Sequence, residues 1–253
     1  TNPDADVNRI AAEAASFFRS GKLSQAVDRY DQAAAAAFRL GATGRSFEFS
    51  LVAAEIERKQ GNYLSATDRF ERAALANSND PRAVTAHFAA CQALSSHLKN
   101  GSSEGLARLD QMLIDHRQMW PNAPTASKAT WQRIELLAGC KKWDDLLKAV
   151  KAVTADNPRF DRALALLVLA HQGRYALKLR EQGLSQESIE VLTMMTQDLE
   201  SIILGKERRW PRYWNTLQLQ ATEALARAHL SRGKVGAEYS LQLLSIAIKG
   251  TAS

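Results

Sequence analysis

Five histidines, two cysteines and one basic aromatic run are the residues of this 253-residue chain whose types could do chemistry. His87, His97, His116, His171 and His229 are scattered, with no His-Glu-x-x-His pair that would set two imidazoles on one helix face to hold zinc. Cys91 and Cys140 show no Cys-x-x-Cys or Cys/His spacing, so they read as small core residues. Asp144 and Asp145 follow Trp143 at an expected helix start, where carboxylates answer the positive end of the dipole rather than share a proton. "GATGRS" at 41–46 lacks the Gly-Lys-Ser/Thr ending of a phosphate-cradling loop and reads as a connector. The chain is therefore read as non-catalytic, with no metal and no cofactor.

The run "KERRWPRYWN" at 206–215 interleaves Lys206, Arg208, Arg209 and Arg212 with Trp210, Tyr213 and Trp214. Aromatic faces can stack on bases while the cations neutralise phosphates, which makes the run a candidate nucleic-acid or anion patch. Equally, it reads as a long linker whose tryptophans seal a helical stack and whose arginines stay in water. The charge is localised: residues 1–120 carry 14 Lys+Arg against 14 Asp+Glu, and 121–253 carry 19 against 13, so the +6 surplus lies in the second half.

The elements that must position these residues are helices. Glycine and proline are sparse, at 13 and 6, and no stretch alternates with the period of two that a half-buried strand needs. The longest apolar run, "ALALLVLA" at 163–170, is bounded by Arg162 and His171 and falls far short of the roughly 18 residues that span a bilayer. No membrane insertion is expected. The opening "TNPDADV" and the closing "GTAS" read as ends cut from a longer protein.

A register of 40 residues runs through the chain. Gly21, Gly61 and Gly101 mark it, and Lys141 continues it after Gly139. Five residues on stand Ala26, Ala66, Leu106 and Leu146; four further on, Tyr30, Phe70, Asp110 and Val150; three more, Ala33, Ala73, Leu113 and Val153. Steps of four and three keep one helix face, so each copy presents a small, large, small stripe, with Asp110 the outlier. Pro81 and Pro121 repeat at the same interval, which predicts helical hairpins, one helix before each glycine and one after. The first pair is expected near Val7–Arg19 and Ser24–Phe38, with Ser24 as N-cap. "GLSQES" at 183–188 and "GKVGAE" at 233–238 open weaker copies. About six stacked hairpins result.

Gly21, Leu23, Ala26, Tyr30 and Ala33, and again Gly61, Tyr63, Ala66, Phe70 and Ala73, resemble the tetratricopeptide repeat pattern; Trp143, Leu146, Val150 and Val153 keep its spacing with larger residues. The period of 40 is longer than the family's usual one. The resemblance implies an all-α, right-handed α-solenoid of antiparallel hairpins forming a single domain over 1–253, clear to about residue 160 and divergent beyond. It implies a protein-interaction scaffold that captures a peptide or partner helix on the faces of its first helices, at Phe18, Arg19, Leu51, Glu55, Arg58, Lys59, Lys128, Trp131 and Glu135. The Lys and Asn with which some members clamp a terminal carboxylate are replaced here by Ala11 and Ala15. Other expectations are nucleic-acid binding through 206–215, or an accessory domain of a larger enzyme or regulator.

Overall fold

A computed structural model describes residues 3–99, 105–205, 210 and 214–251. Among them the fold is all-α, with twelve helices and no strand: α1 Pro3–Arg19, α2 Leu23–Arg39, α3 Thr43–Lys59, α4 Tyr63–Ala76, α5 Pro81–Lys99, α6 Leu106–Met119, α7 Pro124–Gly139, α8 Trp143–Lys151, α9 Phe160–Gln182, α10 Gln186–Leu204, α11 Thr216–Leu230 and α12 Lys234–Thr251. Helices adjacent in sequence pack on one another, as in a solenoid. The sequence was read as one domain; the packing groups the chain into two compact units, Thr1–Arg133 and Ile134–Ser253.

In the N-terminal unit the punctuation is finer than the 40-residue register: α1, α2 and α3 each end in a glycine turn, at Gly21, Gly41 and Gly61, all with positive φ. Each exit is a Schellman turn. After α1, the amide of Gly21 donates to the Phe18 carbonyl at 3.1 Å and that of Lys22 to Phe17 at 2.9 Å, satisfying carbonyls the helix end would orphan. The next helix then starts within three residues, so its neighbour is antiparallel by necessity. Ser24 is not the N-cap: α2 begins at Leu23, and Lys22 occupies the cap without a side-chain hydrogen bond. Gly101 lies outside the described residues.

The small-large-small stripe faces inward. Ala26, Ala33 and Ala66 are buried, with Phe70 and Ala73 beside them, and Leu146, Val150 and Val153 do the same in the C-terminal unit. Tyr30 is only partly buried, packed at the edge of the cluster of Ala26, Val27, Ala53 and Ile56. The outlier Asp110 has a partner: Arg133 Nε of α7 donates to its Oδ1 at 2.7 Å. Charged residues also tie equivalent second helices one period apart. Arg69 of α4 bonds Asp31 of α2, and Arg108 of α6 reaches both Asp68 and Glu71 of α4 at 2.6 Å.

The C-terminal unit is built differently. Its core runs through Val191, Leu192, Met195, Leu199 and Ile203 of α10 against Ala221, Ala224 and Leu225 of α11. Here α10 and α11 start from capping boxes, in which Ser185 accepts from the Ser188 amide and Asn215 from the Gln218 amide. The apolar run at 163–170 is part of α9, with Ala163, Leu167, Val168 and Ala170 buried. None of the described helices is long and apolar enough to cross a membrane.

Candidate functional site

Helices α1 and α3, the first helices of two successive hairpins, leave an apolar cleft between them. Phe18 supplies one wall, Leu51, Val52 and Ile56 the other, and Glu48, Glu55 and Lys59 stand at the rim, around a volume of about 290 Å³. The residues on α3 recur at steps of three and four, so they lie along one face and turn the same way. Phe18 is 41% exposed, a large apolar side chain that its own fold leaves in water. Lys22 stands over the ring of the neighbouring Phe17 instead, 5.9 Å from its centroid.

The charges at the rim are organised. Arg58 grips Glu55 through two hydrogen bonds, Nε to Oε2 at 2.8 Å and Nη2 to Oε1 at 2.7 Å. That fork holds the Glu55 carboxyl below its ordinary pKa and raises the Arg58 guanidinium above its own. Arg58 is thereby neutralised by its own helix, while Glu48 and Lys59 remain exposed at opposite ends of the α3 face. Eleven residues of helix separate them, or roughly 16 Å.

The nine residues expected to face a partner do not all stay together. Phe18, Leu51, Glu55 and Lys59 line the one cleft, with Arg58 beside it and Arg19 exposed at the end of α1. Lys128 is exposed on α7. Trp131 is corrected: it is 3% exposed, part of the interior, and Ile134, three residues on along the same face of α7, is buried as well. Glu135 belongs to the C-terminal unit, where it accepts from Arg162 Nη2 at 2.8 Å. Sequence reasoning missed Val52 and Ile56, although their spacing from Glu48 and Glu55 was visible.

Of the basic aromatic run, Lys206, Arg208, Arg209, Arg212 and Tyr213 lie outside the described residues. Trp214 packs against the core of the C-terminal unit, and Trp210 stacks on it with ring centroids 6.2 Å apart, itself 43% exposed.

Four of the histidines are interior. His87 and His116 stack face to face at 5.3 Å, with their Nδ1 atoms 3.3 Å apart, Trp120 tilted over both rings and His116 Nε2 bonded to Thr125 Oγ1 at 2.8 Å. Burial lowers both pKa values, that of His116 to about 4. His171 Nε2 meets Asp198 Oδ2 at 2.7 Å, and Lys151 Nζ meets the same oxygen at 2.5 Å. This resembles part of a catalytic constellation in composition only, since the His171 side chain has no exposed surface for a substrate to reach. It ties α8 and α9 to α10. His229 bonds Thr196 at 3.0 Å. Cys91 is buried, its thiol pushed up to about 12 by desolvation, and Cys140 is also unpaired. Among the described residues no three His, Cys, Asp or Glu side chains converge as a metal site.

No family model matches the chain. No curated protein sequence matches it either.

Proposed function

We propose that this chain is a non-catalytic interaction module of tetratricopeptide-like build, and that the α1/α3 cleft takes an amphipathic segment of another protein. The observation that carries the reading is the exposed Phe18 facing Leu51 and Val52 across an open apolar cleft with charge only at its rim. Such a face suits a partner helix that lays an apolar stripe into the groove, with a cation toward Glu48 and a carboxylate toward Lys59, some three helical turns apart. Its energy would come from the apolar anchors, the rim charges setting direction and register.

A displayed library of random peptides of about 16 residues, panned against the chain, tests this. Enriched peptides should share apolar residues at helical spacing, and their affinity should fall at least about tenfold against Phe18→Glu or Leu51→Arg. Enriched peptides that bind those variants unchanged would sink the assignment.

Exposed Trp210 favours a second reading, nucleic-acid binding through 206–215. It requires retention of an oligothymidine single strand that weakens steeply between about 50 and 200 mM salt. A third possibility, an accessory domain of a larger enzyme or regulator, would use the same α1/α3 face on its own chain.

A further inference from the structure

The last hairpin carries a second apolar cleft, unrelated to the first. It lies between α11 and α12, encloses about 540 Å³, and has Leu219, Ala226 and Leu230 on one side and Leu244 and Ala247 on the other. Helix α11 is thus apolar on two faces. Ala221, Ala224, Leu225 and Ala228 bury themselves in the core of the unit, while Leu219 and Leu230, with Leu244 of α12, remain exposed. Helix α11 already packs on α9, α10 and α12, and the exposed leucines beside the cleft lie beyond all three.

The pattern of the open face points to its occupant. Leu219, Glu223, Arg227 and Leu230 follow steps of four, four and three along one side of α11 and are exposed, while Ala226 between them is buried at the floor of the cleft. Among the described residues, the charged side chains lining the cleft are Glu223 and Arg227, of opposite sign, which bond each other at 2.5 Å and stay well exposed. A strongly charged partner would gain nothing from that balanced pair. An antiparallel copy of the same helix would gain twice. The midpoint between Leu219 and Leu230 and the midpoint between Glu223 and Arg227 fall within half a residue of each other. Turned about that point, each Leu219 meets the other copy's Leu230, and each Glu223 meets the other copy's Arg227. Self-complementarity of this kind is the mark of an isologous two-fold interface. From this we infer that the α11/α12 face is a homodimer interface, with α11 packed antiparallel on its own copy.

Sedimentation equilibrium on the 253-residue chain tests it. The apparent mass should rise from 27.9 kDa toward twice that value between about 1 and 100 µM. Glu223→Arg and Arg227→Glu each place like charges across the two-fold and should each weaken the dimer at least about tenfold. Mixed in equal amounts, the two variants should recover it to within about threefold, since each supplies the other's missing sign. Both positions are exposed, so circular dichroism should show the variants folded as the parent is. A chain that stays monomeric throughout overturns the inference and leaves the face to a different helix, from another protein or from further chain. A dimer indifferent to both charge reversals, or one that mixing fails to restore, overturns it too.

Discussion

The two units reach the same all-α architecture by different local rules, and the difference shows where a helical stack takes its order from. In the N-terminal unit the order is in the exits: glycine at Gly21, Gly41 and Gly61 closes a Schellman turn, and none of the helices that follow has a side-chain cap at its start. Buried alanines then let neighbouring helices approach closely. In the C-terminal unit the order is in the entries, through the capping boxes of Ser185 and Asn215, and in bulky packing such as Trp143 against Gly173. The first unit is held by a repeated small motif, the second by individual fits.

The sharpest test is to remove one large side chain from the repeated motif. Phe70, almost fully buried, should cost about 3 to 5 kcal/mol as Phe70→Ala, whereas Tyr30, its partly buried counterpart one period earlier, should cost about 1 to 2 as Tyr30→Ala. Urea midpoints measure both; equal losses would mean that the copies are energetically interchangeable despite their different burial. Acid probes the next level. His87 and His116 are neutral in the fold because burial depresses their pKa values, and an unfolded chain takes up protons below about 6.5. Their contribution is therefore complete above that pH and is lost as pH falls toward the folded value, about 4 for His116. Asp115 faces His87 and opposes the shift, but burial outweighs it. The stability loss should be on the order of 3 kcal/mol between pH 7 and 4 and should shrink in His116→Gln. In the C-terminal unit Asp198 offsets part of the burial of His171, so His171→Gln should flatten the profile less.

How much of this was legible depended on whether the signal was periodic. The helices, their hairpin order and the inward stripe of Ala26, Ala66, Phe70 and Leu146 follow from spacing alone, because a helix face repeats every three to four residues. Spacing puts Leu51, Glu55 and Lys59 on one side of α3, but their place opposite Phe18 of α1 was expected only from the resemblance to the tetratricopeptide pattern. The burial of Trp131 was not legible, since register places a residue on a face of its helix but does not say which neighbour covers that face. Equally invisible were the pairs built across distance: His87 with His116, and Arg69 and Arg108 with carboxylates about one period earlier. The midpoint of the repeat was also missed, because Gly41 was read within a connector and not as the same turn as Gly21 and Gly61.

Fitted contacts in the C-terminal unit can be broken singly. A Cβ placed on Gly173 would come within 2.3 Å of the Trp143 ring, so Gly173→Ala should cost about 1 to 3 kcal/mol even though alanine is the better helix former. Gly139→Ala, where the new methyl meets nothing, should be neutral or slightly stabilising, and the two urea midpoints together separate crowding from propensity.

The smallest effect has the opposite sign. The turn after α7 repeats the Schellman bonds of the N-terminal unit, with the Lys141 amide donating to Ala138 at 3.1 Å and that of Lys142 to Leu137 at 3.0 Å. Its left-handed position is held by Lys141 at φ 55°, the sole non-glycine among the described residues with positive φ. A side chain there crowds its own carbonyl, at a cost of about 1 kcal/mol that glycine would not incur. Lys141→Gly should raise the midpoint of the C-terminal unit by the equivalent of about 0.5 to 1 kcal/mol, discounted because glycine also frees the unfolded chain. The same turn would then follow the rule of Gly21, Gly41 and Gly61. If Lys141→Gly instead lowers stability, the lysine side chain does something at that turn that outweighs its backbone strain, and the contrast between a repeated motif and individual fits extends to the turns themselves.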